Sequence, residues 1–201
     1  MSRLIYQTTD RFKNALVNHN IPGLRWLIEG FNYYDRSRVK DVGPDRAAAE
    51  WIVRCGGKVK FDRYRDIFED YNMLIRVTAE LDPAKESGQV RLVMVDGSNS
   101  SVSGYGFRHF ANITKLESVK LIGCKSMNDT GLEIMGEHMG QYLPHLHLEQ
   151  CPRITEYGLK HLEKYSGLKQ LVLKDLKNVH KPERNVAALQ KALPNCELKF
   201  S

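Results

Sequence analysis

An α/β architecture, a short solenoid of strand-helix units closed at its front by an N-terminal α/β cap, is what this 201-residue sequence predicts. Three observations carry the prediction. A five-position apolar frame recurs through the C-terminal half, a non-repeating helix-strand pattern precedes it, and 42% hydrophobic with 27% charged residues is the composition of a soluble globular chain. No apolar run exceeds four residues, as in Leu92-Val93-Met94-Val95, whereas a membrane-spanning helix needs roughly 20, so any membrane contact is expected to be peripheral.

Along the chain, residues 1–22 carry three basic side chains, Arg3, Arg11 and Lys13, against Asp10, with Ser, Thr and Asn between them. This is compatible with part of a transit peptide and equally with an ordinary frayed terminus. The aromatic stretch from Trp26 to Tyr34 suggests an amphipathic helix. GPDRAAAEWIVRCGG predicts a complete helix: Pro44 suits the first turn, Asp45 the N-terminal dipole, and Gly56 or Gly57 a left-handed stop. Its buried stripe is Ala48, Trp51, Ile52 and Cys55, at the i, i+3, i+4, i+7 spacing of one helix face. Alternating Lys58-Val59-Lys60-Phe61 predicts a strand, and Asp82 to Gly88 a loop. Residues 23–89 thus form the expected capping domain, and residues 90–201 the repeats.

In the repeats the frame is LxxLxLxxCxx(I/M/V). Leu116, Val119, Leu121, Cys124 and Met127 correspond to Leu143, Leu146, Leu148, Cys151 and Ile154, and then to Leu168, Leu171, Leu173, Leu176 and Val179, at periods of 27 and 25 residues. A degenerate earlier copy is read at Val90, Val93, Val95 and Val102, and a closing half-copy at Leu193, Cys196 and Leu198. This is the pattern of a cysteine-containing leucine-rich repeat, about four units long. No unit can bury its own apolar face, so the units stack into one core. Cys124, Cys151 and Cys196 are then expected to be reduced core residues. No cysteine pair has zinc-ribbon or disulfide-scaffold spacing.

Residues between the core positions fall on the exposed sheet face. They run Leu92, Met94, Asp96; Ser118, Lys120, Ile122; His145, His147, Glu149; Gln170, Val172, Lys174; Asn195, Glu197, Lys199. From this set Lys120, His145, His147, Gln170, Lys174 and Lys199 are the candidate partner-binding residues. His145, His147 and Glu149 could also form a metal trio, against the plainer reading of surface histidines. Asp66 and Glu69, three apart on an expected helix, could pair as acid and base, against the plainer reading of solvated charge. GxSxG, HExxH, P-loop and GxGxxG motifs do not occur, which leaves no nucleophile or phosphate cradle and disfavours an enzyme. From 160 to 191 eight basic residues face three acids, suiting an acidic surface, while the lack of interleaved aromatics disfavours nucleic acid.

The residues Trp26-Leu27 and Phe31-Asn32, then DVGPDRAAAEWIVRCGG from Asp41, VDGSNSSVSGYGF from Val95, the repeats and the closing LPNCELKF resemble the mitochondrial ATP synthase coupling factor B family, also called subunit s. The likeness runs from about residue 24 to the end. It implies a non-enzymatic, peripheral protein on the matrix side of the mitochondrial inner membrane. Such a protein would bind the membrane sector of ATP synthase and support coupling of proton transport to ATP synthesis. It also implies magnesium held at Gly56 and Ser98, where the family usually has threonine. The family's CxC dithiol stands here as Ile122-Gly123-Cys124, so sensitivity to dithiol reagents does not carry over. An assembly factor for the membrane arm of respiratory complex I shares part of the GPD block and is the runner-up. The repeats alone also fit a substrate receptor of a ubiquitin ligase.

Overall fold

The structure, a computed structural model, describes residues 29–201, so the transit-peptide reading of residues 1–22 and the residues around Trp26 lie outside the described part. After a helical stretch at 29–31 the elements are α1 (Arg36–Val42), α2 (Pro44–Arg54), β1 (Lys58–Phe61), α3 (Tyr71–Thr78), β2 (Leu92–Asp96), β3 (Ser118–Ile122), α4 (Asp129–Met139), β4 (His145–Glu149), α5 (Glu156–Leu162), β5 (Gln170–Lys174), α6 (Pro182–Ala192) and β6 (Glu197–Phe200). A 3-10 segment, Gly104–Phe110, stands between β2 and β3 where later units carry an α-helix.

The six strands form one sheet in sequence order. β1 pairs antiparallel with β2, and every later pair is parallel. A parallel neighbour requires a crossover, and the intervening helix supplies it each time. All fifteen positions of the three full copies are buried, so the frame read from the sequence is the core. One apolar cluster runs from Trp51 and Phe61 in the cap to Leu189 and Leu193 at the far end.

The cysteines show why the frame holds. The Cys124 thiol donates to Gly97 O at 3.0 Å, and the Cys151 thiol to Leu121 O at 3.4 Å, in each case a carbonyl of the preceding strand's unit. In the unit before them Ser100 takes the same place and donates from Oγ to Gly97 O at 2.5 Å. A small buried donor at this corner is thus satisfied by a backbone carbonyl. A hydrogen bond with Cys151 and burial push the Cys124 thiol up, away from the reactive thiolate.

Several expectations are corrected. β2 registers Val95 on Val119, so the first copy is Leu92, Val95, Gly97 and Ser100, two residues from the frame read at Val90 and Val93. Leu92 is therefore buried and is not part of the exposed face. Its LxL signature is lost because Leu121 fills the space of a side chain at Gly97: a Cβ there would lie 2.8 Å from Leu121 Cδ2. At the other end Leu198 registers on Leu171, which shifts the last copy by two and leaves Cys196 half-buried in the preceding turn. Asp66 and Glu69 lie on no helix. Asp66 lies in a bend, Phe68 after it exchanges backbone hydrogen bonds with Val59 at 2.8 and 2.9 Å, and Glu69 pairs with Lys58.

α2 is buried almost all round rather than along one stripe, from Asp45 to Val53. Its buried acids are matched: Arg38 donates to both oxygens of Glu50 at 2.7 and 2.8 Å, and Asp45 accepts from the Leu92 amide at 2.8 Å. α2 ends at Gly56, with φ 91°, the predicted left-handed stop.

Candidate functional site

Strand register sets the exposed face as parallel rows. One row reads Met94, Ser118, His145, Gln170, Glu197; the next Asp96, Lys120, His147, Val172, Lys199; a third Ile122, Glu149, Lys174. All six candidate partner-binding residues, Lys120, His145, His147, Gln170, Lys174 and Lys199, thus lie on one side of the sheet, opposite the leucines and cysteines. Alternation alone dictates this, since successive strand residues point to opposite faces.

The face is knitted by polar contacts across and along strands. Glu149 is the hub: its Oε1 accepts from Lys174 Nζ at 3.1 Å, and its Oε2 lies 3.0 Å from His147 Nε2. Lys174, then His147, hold the Glu149 carboxyl below the usual range. Gln170 donates to Glu197 at 3.0 Å, Lys199 pairs with Glu197 at 2.9 Å, and Lys120 stands 4.0 Å from Asp96. Both Glu149 oxygens are engaged, and among the described residues no group of three His, Cys, Asp or Glu side chains is placed to hold a metal ion. Glu149 is thus held by His147 and Lys174, while His145 stands in the neighbouring row beside Gln170. The sequence offers Glu149 both as a member of a metal trio and as a plain surface residue, and its pairing with Lys174 is visible only with β4 and β5 in register.

Gly56 and Ser98 lie where the cap meets the first repeat. The Cys55 carbonyl accepts from Ser101 N at 2.9 Å and from Ser101 Oγ at 3.2 Å, seating the Cys55-Gly57 turn on the loop after β2. A Cβ at Gly57 would come within 2.9 Å of Asp96 O, so only glycine allows the approach. Ser98 Oγ is buried there and has no hydrogen-bond partner.

No helix among the described residues is long and apolar enough to cross a membrane. No family model matches the chain. The sequence is 33% identical over 178 residues to the mitochondrial ATP synthase subunit s of Rattus norvegicus, covering 88% of this chain and 85% of that protein. The proteins of the same name from Bos taurus and Homo sapiens are each 34% identical over 177 residues, covering 87% of this chain and 84% of theirs.

Proposed function

The chain belongs to the mitochondrial ATP synthase subunit s family, coupling factor B, and from that membership we propose a non-catalytic, peripheral protein of the inner membrane's matrix side. It binds the membrane sector of ATP synthase and supports coupling of proton transport to ATP synthesis. The observation that carries the reading is the length of the likeness, which spans the cap and the repeats alike. Its body is a leucine-rich repeat solenoid, a reading supported by strands in sequence order and by cysteine thiols on equivalent carbonyls.

Partner docking is assigned to the exposed sheet face, where Lys120, His145, His147, Gln170, Lys174 and Lys199 stand in register. Affinity purification of the tagged protein from gently solubilised mitochondria tests the partner. Enrichment of ATP synthase membrane-sector subunits is expected; enrichment of complex I membrane-arm subunits instead would overturn it. Reversing Lys120, Lys174 and Lys199 to Glu should abolish capture with an unchanged circular dichroism spectrum, and retained capture would move the docking site elsewhere.

A structural magnesium ion between Gly56 and Ser98 belongs to the same proposal. The orphaned Ser98 hydroxyl and the exposed turn at Gly56 fit a weakly held hard cation that keeps most of its waters. Gly56 would offer its backbone and Ser98 its Oγ, and the ion would clamp the end of α2 to the first repeat. Magnesium titration calorimetry should lose its signal in Ser98→Ala; identical heats in both proteins would dismiss the clamp.

A further inference from the structure

A second site is built on the opposite side of the cap. A cavity of about 100 Å³ lies between the first turn of α2 and the 83–91 segment, with Gly43, Arg46, Pro83, Gln89 and Arg91 in its wall. Arg46 is only 7% exposed, yet among the described residues it forms no ion pair. Its Nη1 donates to Leu81 O at 2.8 Å, and its Nε has no acceptor at all. Burying a guanidinium without a counter-charge is costly, and native structures rarely leave one so.

The nearby acids are already committed. Both oxygens of Glu50 are held by Arg38 at 2.7 and 2.8 Å. Asp45 accepts from the Leu92 amide at 2.8 Å and lies 3.4 Å from Arg91, which also donates to Gln89 at 2.7 Å. One carboxylate against two guanidiniums leaves the cavity wall with one net positive charge. The start of α2 adds to it: Gly43 at the N-cap has φ 84°, and no side chain caps the first turn of this 11-residue helix. The positive end of the helix dipole therefore opens onto the same cavity.

We infer that this cavity is a binding site for a phosphate-class oxyanion, held between Arg46, Arg91 and the first turn of α2. The cavity has room for orthophosphate or a single exposed phosphoryl group. Phosphate is favoured over carboxylate because Arg46, Arg91 and the first turn of α2 all line the cavity and together carry more donors than the two oxygens of a carboxylate can engage. The inference is independent of the magnesium clamp and of the sheet face.

Titrating inorganic phosphate into the full-length ¹⁵N-labelled protein at fixed ionic strength tests it directly, with the Arg46 Nε–H resonance and the melting temperature as readouts. A saturable shift of that resonance with a rise in Tm is expected, absent with chloride and about tenfold weaker with acetate. Arg46→Gln should remove the response. Because that variant can fail to fold, Arg91→Gln, at the cavity's more exposed wall, is measured beside it and should raise the half-saturation concentration about tenfold or more. A linear drift equal to that of chloride, or saturation unchanged in Arg91→Gln, overturns the site. Acetate as effective as phosphate overturns the choice of phosphate.

Discussion

Acid should destabilise this protein through one histidine. His109, at the end of the 3-10 segment, is 3% exposed, lies flat on Trp51 at 5.0 Å and 9°, and meets the edge of Tyr34 at 5.0 Å. Its Nδ1 lies 2.9 Å from Gly106 O, and a carbonyl only accepts, so Nδ1–H donates to it. Burial pulls its pKa from 6.5 down to about 4, with Arg54 adding to the depression and Asp35 and the Gly106 bond opposing it. The unfolded chain takes up a proton near pH 6.5 and the folded chain only near pH 4, so stability is full above pH 6.5 and falls between these values. At about pH 4.5 the loss is about 2.5 kcal/mol, which for a domain of this size moves the urea midpoint by about 1 M. The assay is urea unfolding at about pH 7.5 and about pH 4.5 for the native chain and for His109→Phe, which keeps a ring on Trp51 but cannot titrate. The other histidines and all carboxylates are common to both proteins, so the difference between the two pH slopes isolates His109. Slopes equal within about 0.5 kcal/mol would refute the reasoning.

Asn32→Ala should cost about 3 kcal/mol or more and lower Tm by about 6 to 12 °C, measured by calorimetry. Its amide accepts from Trp51 Nε1 at 3.1 Å and Ser103 N at 2.8 Å and donates to Ser101 O at 3.0 Å, all inside the core. Gly57→Ala should cost about 1–3 kcal/mol, because its methyl would meet Ile52 Cγ2 at 2.7 Å and Asp96 O at 2.9 Å. Gly56→Ala, with open space around it, should cost only the left-handed strain of about 1–2 kcal/mol, and thermal scans of the two compare crowding with φ. Tyr165→Phe should lose about 1 kcal/mol in urea unfolding, since its buried hydroxyl donates to Leu132 O at 2.5 Å while the ring packing is kept.

The interior of the repeat region was legible because three full copies repeat an apolar frame that the parallel register then reproduces strand by strand. The ends were not. At the front Gly97 has given up the leucine position to the neighbouring Leu121, and at the back Leu193-Cys196-Leu198 imitates the frame at the wrong offset. The front unit abuts the non-repeating cap and the back unit ends the sheet, so neither lies between two copies of the repeat, and their sequence is free to drift from the frame. The cap was harder still. α1 and α3 carry no long apolar period, and the buried charges of α2 read from sequence as a polar face. What makes them core residues is partners 12 and 47 positions away, Arg38 for Glu50 and the Leu92 amide for Asp45. The left-handed stop and the β1 alternation were legible because they are local.

Charge is divided between the two sides of the molecule, and the docking proposed above would draw on the two sides differently. On the sheet face Lys120, Lys174 and Lys199 stand beside Asp96, Glu149 and Glu197, three cations against three carboxylates. The basic surplus sits instead on exposed Lys160, Lys164, Lys177, Lys181, Arg184 and Lys191, carried by α5, α6 and their connections. Exposed pairs such as these are worth about 0–1 kcal/mol each, so a docking partner can exchange them at little cost. A neutral patterned face discriminates by which carboxylate meets which lysine, and loses affinity through dissociation when the pattern is reversed. The basic flank acts at longer range and is screened beyond about 10 Å at ordinary salt, so its neutralisation should slow association and flatten the salt dependence. Surface plasmon measurements on the two sets of lysine variants would therefore move different rate constants; one shared rate effect would mean that a single surface performs both tasks.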